Sequence, residues 1–360
     1  MPKKSVDPAQ PTPEHWFVKE LAGEAPPSFA ALRELYELSS EWYRLQPWTR
    51  VDESELILTP HPSGGQICYC SNMGSAGEVF SLQAYIGPES YRLFRRMALQ
   101  ELESPIELLA GLNGVCLEFV RASELTPQDR RLLAALGHVS KRGARTPIFR
   151  ANRPGSHPWF VNAEEARALA ACIRAVNFIA SALVPGVPGS HWNRPDFYPL
   201  VSPDKRSNNE LQLEFIHAPI PPEAPVPAAR IGEEDLRQLR NRDYQVRGEI
   251  ELDFVESFAA VGKPSGRKTC TAIALAVDAV TGIVFPPEMV ELGAPVGDIL
   301  AKVLFKTIQS TGFVPKRVRV RNHRLKECLK PVADALAVEI TVPRSLPALD
   351  AAREHLLAFL

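Results

Sequence analysis

The sequence predicts two segments in tandem, an α+β N-terminal segment and an α/β C-terminal segment with a mixed sheet. Three observations predict this. Strand-like and helical runs succeed one another along most of the 360 residues. A stretch with five prolines in nine residues, PIPPEAPVP, divides them. Beyond it, three consecutive strand-like runs give way to alternation of strands with helices. Hydrophobic residues make up 45% of the chain and charged residues 23%, which is the composition of a folded globular protein.

Residues 1–27 hold six prolines and read as a tail. Its apolar cluster, Trp16, Phe17, Val18 and Leu21, is expected to dock on the body of the protein. The α+β segment, 28–218, opens at Ser28, a good N-cap, with a helix carrying Phe29, Leu32, Leu35, Tyr36, Leu38, Trp42 and Leu45 at three- to four-residue spacing, which Pro47 stops. QICYCS and EVFSLQAYIG read as strands joined by NMGSAG, and a helix follows from Pro88 to about Glu101. After Gly114, VCLEFV is a further strand, and Thr126-Pro127 opens a short helix that ends at Gly137.

Asn162 and Glu165 form a capping-box-like start to a long helix over 163–184. Its apolar positions, among them Leu169, Cys172, Ile173 and Val176, cover so much of its surface that burial is expected. FYPLVS and ELQLEFIHA read as strands, and 219–230 is a linker of extended polyproline character.

In the α/β segment, 231–360, the order is strand (VRGEIELDFVESFAA), strand (TCTAIALAVDA), strand (IVFPPEMVEL), helix (295–311), strand (RVRVRN), helix (324–336), strand (VEITV), helix (346–359). That is βββαβαβα. The first three strands suit hairpins, and the later ones suit parallel crossover units.

Several function classes find no support. Forty-one Lys plus Arg nearly cancel forty-two Asp plus Glu, so no net field draws the whole molecule to nucleic acid or to an anionic membrane. No apolar run reaches the ~18 to 20 residues of a membrane span, and MPKKSVDPAQPTPEHW lacks the apolar core of a signal peptide, so the expected address is cytoplasmic, with no membrane partner.

The six cysteines, at 68, 70, 116, 172, 270 and 328, are too scattered for a disulfide scaffold. Cys68 and Cys70 share a strand face as core residues without a second pair for zinc. The histidines make no H-x-x-x-H pattern, and no G-x-S-x-G nucleophile motif occurs. SNMGSAGE lacks the Lys of a phosphate-binding loop and reads as a hairpin turn. PGSHPWF and PGSHWNRP flank the long helix, and their His157, Trp159, Phe160, His191 and Trp192 read as anchors that pack loops onto it.

The chemistry-bearing pattern lies in the C-terminal segment. Glu249, Glu251 and Asp253 alternate with Ile250, Leu252 and Phe254, so a strand puts three carboxylates on one face, where they invite a cation. Arg317, Arg319 and Arg321 alternate in the same way with Val318 and Val320. Where the two strands are neighbours, arginine neutralises the acids without a cofactor. Asp278, in DAVTG, reads as a hairpin-turn aspartate, and Asp298 as a first-turn helix residue. The run KRVRVRNHRLKECLK makes Arg317, Arg319, Arg321, Arg324 and Lys326 the candidate contacts to nucleic-acid phosphates, with an ion-paired or solvated face as the competing reading.

The βββαβαβα succession resembles the ribonuclease-H-like fold of ribonucleases H, retroviral-type integrases and transposases. In that superfamily, carboxylates on the first strand, the end of the fourth strand and the last helix hold two divalent metals for phosphodiester cleavage. The resemblance implies Asp253 on the first strand as metal ligand, with Asp350 and Glu354 on the last helix. The fourth strand ends in the neutral Asn322, a departure that weakens a metal site.

EWYRLQPW, CSNMGSAGEVFSLQAYIG, PGSHPWF and SLPALDAAREHLLAFL also resemble a group of bacterial proteins of two-domain layout, which implies the architecture and no substrate. Two readings follow. One is a non-catalytic binding or regulatory protein with a degenerate ribonuclease-H-like domain, needing no cofactor and engaging a protein or nucleic-acid partner. The other is a metal-dependent nuclease or related phosphoryl-transfer enzyme using Mg or Mn.

Overall fold

The computed structural model describes residues 13–102, 104–138, 143–183, 197–204, 210–222, 227–230, 232, 237, 244–263 and 265–357. His191 and Trp192, two of the loop anchors expected from sequence, lie outside them. The chain forms two compact units, one of Met1–Glu223 with Gly262–Lys268 and one of Ala224–Val261 with Thr269–Leu360.

The first unit is built on strands β1 (Ile57–Pro60), β2 (Ile67–Met73), β3 (Ser81–Ile86), β4 (Gly114–Arg121), β5 (Arg145–Asn152), β6 (Phe197–Pro203) and β7 (Leu211–His217). They lie in the order β5-β4-β3-β2-β1-β6-β7, antiparallel except where β1 meets β6. Its helices are α1 (Pro13–Glu20), α2 (Phe29–Leu45), α3 (Gly87–Ala98), α4 (Ile106–Gly111), α5 (Pro127–Ala135) and α6 (Ala163–Ala182).

The period of two along β2 sends Cys68 and Cys70 to one face and Ile67 and Tyr69 to the other. On the first face, Cys68, Cys70, Leu82 and Leu117 pack with Leu169, Cys172, Ile173 and Val176 of α6, which lies against α2. On the second, Leu58, Tyr85 and Tyr198 pack with Tyr91 and Phe94 of α3. Three helix starts, those of α2, α5 and α6, follow their capping chemistry. Ser28 Oγ accepts from the Ala31 N–H, and complete capping boxes open α5 (Thr126 and Asp129) and α6 (Asn162 and Glu165). Arg50 donates to the Ala180 and Leu183 carbonyls and so satisfies the last turn of α6.

Of the apolar cluster expected to dock, Phe17 and Leu21 are buried in this unit's core, whereas Val18 is exposed. Asn72 and Met73 of NMGSAG complete β2, and the β2–β3 hairpin link starts at Gly74, with Gly74 and Gly77 at positive φ. β1, β5, α1 and α4 are additional to the elements expected from sequence. β5 reads RTPIFRAN, in which two arginines, a proline and an asparagine obscure a strand period.

The second unit contains β8 (Gln245–Val246), β9 (Glu249–Val261), β10 (Thr269–Asp278), β11 (Glu288–Glu291), α7 (Val296–Thr311), β12 (Phe313–Val314), β13 (Arg317–Val320), α8 (His323–Leu336), β14 (Glu339–Thr341) and α9 (Pro347–Leu357). Five strands form a mixed sheet in the order β11-β10-β9-β13-β14. β11, β10 and β9 are antiparallel neighbours, and β9, β13 and β14 run parallel. β8 and β12 make a separate parallel pair.

α7 and α8 cover the face carrying Ile250, Leu252, Val318 and Val320, while α9 covers Val255, Leu275 and Val277 on the other. Two expected strands are corrected. Val246 pairs with β12, and the chain turns at Gly248 (φ 75°) before β9 begins. IVFPPEMVEL yields only the four-residue β11, because Pro286 and Pro287 have no N–H for the ladder. Among the described residues, no helix is long and apolar enough to cross a membrane.

Candidate functional site

The alternation in β9 and β13 brings acid against base. β9 and β13 pair in parallel with Arg317 opposite Glu249 and Arg319 opposite Glu251, and Arg321 follows one residue past the end of β13. Both charged rows occupy the α9 side of the sheet, because Ile250, Leu252, Val318 and Val320 take the other. Arg317 reaches Glu249 Oε1 at 2.5 Å and, across the next strand, Glu339 Oε2 at 3.0 Å. Glu339 belongs to β14 and was not part of the pattern read from sequence.

Glu251 is fully buried, with 0% exposure. Its Oε2 accepts from the Leu349 N–H at 2.8 Å, a bond that ties the start of α9 to the sheet. Its Oε1 lies 3.2 Å from Arg319 Nη1 as an ion pair, without the geometry of a hydrogen bond. Asp253, 4% exposed, is held by Arg321 Nε, and Arg321 Nη2 also reaches Asp350 Oδ1 of α9 at 2.7 Å.

Burial pushes the Asp253 carboxyl above its ordinary value, and the Arg321 hydrogen bond offsets only part of that rise. For Arg321, burial favours loss of the proton, but the bonds to Asp253 and Asp350 outweigh it and hold the guanidinium charged.

Asp253 and Asp350, two of the carboxylates implied by the fold resemblance, therefore converge on one guanidinium. The other two candidates take different places. Asn322 is the N-cap of α8, its Oδ1 accepting from the Leu325 N–H at 2.9 Å, and Glu354 is solvent-exposed on α9. Among the described residues, no group of three or more His, Cys, Asp or Glu side chains is placed to hold a metal ion.

The basic run is split between the two sides of the sheet. Arg317, Arg319 and Arg321 face the acids, whereas Arg324 and Lys326 ride on α8, which packs on the opposite side. Asp278 acts as the turn residue its sequence context predicts. Its Oδ1 accepts from the Val280 and Thr281 N–H groups and from the Thr281 hydroxyl, and although its slight burial works the other way, these bonds lower its pKa. Asp298, in the first turn of α7, accepts from the Arg230 N–H at 2.7 Å.

Residues 33–185 match a family model described as a domain of unknown function (DUF7309), and residues 235–357 match a second, also described as a domain of unknown function (DUF6930). No curated protein and no solved structure matches the chain. The chain is thus similar to two domain families in tandem, a layout consistent with the two-domain group it resembles in sequence.

Proposed function

We propose that this chain is a non-catalytic binding or regulatory protein whose second unit has a ribonuclease-H-like architecture with arginine in the place of catalytic metal. The sheet order supports the architectural part. Three antiparallel strands followed by two parallel ones, with the first strand central and next to the fourth, is the arrangement that the βββαβαβα succession implies.

The single observation that carries the functional part is Arg321, bound at once to Asp253 and Asp350. A metal centre for phosphodiester cleavage needs several carboxylates directed at a cation, which stabilises the attacking and leaving oxygens. Here the first-strand and last-helix carboxylates are directed at a guanidinium, which stays protonated at physiological pH and offers no open coordination position. The fourth-strand position is a helix cap, which an amide serves well.

The test is calorimetric titration of Mn²⁺ into the wild-type protein and into Asp253→Ala, with cleavage of single- and double-stranded nucleic acid assayed alongside. No saturable micromolar binding and no Mn²⁺-dependent cleavage are expected. Micromolar binding that Asp253→Ala abolishes would replace this reading with that of a metal-dependent nuclease.

A further inference from the structure

We propose that Tyr91 and Arg92 of α3 form a clamp that reads the bare carbonyls of the chain's own proline-rich segment and holds Ala218–Pro222 in place. A polyproline segment makes no internal hydrogen bonds, and its prolines have no N–H. With prolines at 219, 221 and 222, this stretch presents a row of acceptors and hardly any donors. A surface that holds it must therefore supply donors.

α3 supplies them from two adjacent residues. The Tyr91 hydroxyl donates to the Ala218 carbonyl at 3.0 Å, Arg92 Nε donates to the Pro221 carbonyl at 3.2 Å, and Arg92 Nη2 donates to the Pro222 carbonyl. Tyr91 is fixed before it meets the segment. Its ring stacks on Tyr69 with centroids 4.3 Å apart and planes 3° from parallel. Its hydroxyl lies 3.2 Å from that of Tyr198, which in turn accepts from Arg95 Nη1 at 2.8 Å. Ala218 itself packs on the apolar cluster around Tyr91 and Phe94.

The far end of the same proline-rich stretch is anchored separately in the second unit. Ala229 is buried there, its N–H donating to the Cys328 carbonyl at 2.7 Å, and the Arg230 N–H is taken by Asp298. Six residues, Glu223–Ala228, run between the two anchors. Opening the clamp would add Ala218–Pro222 to the residues that separate the two anchors in sequence. This makes α3 a control point for linker length, worked by donors to carbonyls and not by recognition of proline rings.

The experiment uses the full chain with Cys116→Ser and Ile220→Cys, spin-labelled at position 220, where Ile220 is 41% exposed. Electron paramagnetic resonance spectra should show a strongly immobilised label. Arg92→Gln should convert most of the signal to a fast, mobile component, and Tyr91→Phe, which keeps the ring and loses the donor, should do so in part. Thermal midpoints measured in parallel report whether these variants stay folded. A mobile label in the parent, or variants as immobilised as the parent while folded, would overturn the proposal.

Discussion

At the scale of single residues, the most exposed prediction concerns the asymmetry of the Asp253–Arg321 pair. Arg321→Met leaves Asp253 buried without its cation, which should cost about 3 kcal/mol or more at neutral pH in a denaturant titration. The loss should shrink in acid, where Asp253 takes up a proton. Asp253→Asn keeps an acceptor for Arg321, which still has Asp350, and should leave stability unchanged or raised.

Gly114 makes a separate prediction. A Cβ there would sit 2.2 Å from the Ala84 carbonyl oxygen, so Gly114→Ala forces β3 and β4 apart and should cost about 3 kcal/mol. The acid–base ladder was legible residue by residue, because both rows alternate with period two and the ribonuclease-H-like resemblance implies that their strands are neighbours. Asp350 was legible only as a candidate metal ligand. Its partnership with Arg321 depends on how α9 rotates over the sheet, which the Leu349 N–H bond to Glu251 fixes and no sequence period records.

At the scale of elements, capping decides more than metal chemistry at the end of β13. Asn322→Ala should destabilise the protein by about 1 kcal/mol through loss of the α8 cap, whereas Asn322→Asp should be neutral or slightly stabilising, since a carboxylate caps as well and suits the helix dipole. Thermal denaturation of the two variants separates these outcomes. Elements with a clean period or a full cap, such as α2, α6, β9 and β13, were readable from sequence. Those missed are short or chemically mixed. α4 has six residues, β1 has four, and β5 mixes apolar residues with two arginines that reach Asp129 and the Phe119 carbonyl.

At the scale of the whole molecule, pH dependence carries the mark of the buried acid. A carboxyl whose folded-state pKa is raised stabilises the fold fully below its unfolded value, here the ordinary 3.8, and loses that contribution as pH rises through the folded value. Wild type and Asp253→Asn should therefore be close in stability in strong acid and diverge towards neutral pH, with the Asn variant gaining. Glu24, Asp278 and Glu288 act in the opposite sense. Their pKa values are lowered, by Arg153 for Glu24 and by Lys302 and Lys306 for Glu288, so their contributions are present above the unfolded value and fade as pH falls.

In the second unit the main succession of strands and helices followed from patterning, while Val246 joining β12 and β11 shortened by Pro286 and Pro287 arose from glycine and proline geometry. Arg321 has one further implication. A charge tethered to the backbone cannot diffuse away, compete with other ions in the cell or be stripped by a chelator, so dialysis against EDTA should leave the melting temperature where it was. On the reading proposed above, the cation that Asp253 and Asp350 share is encoded in the chain, and the second unit would stay folded through metal starvation.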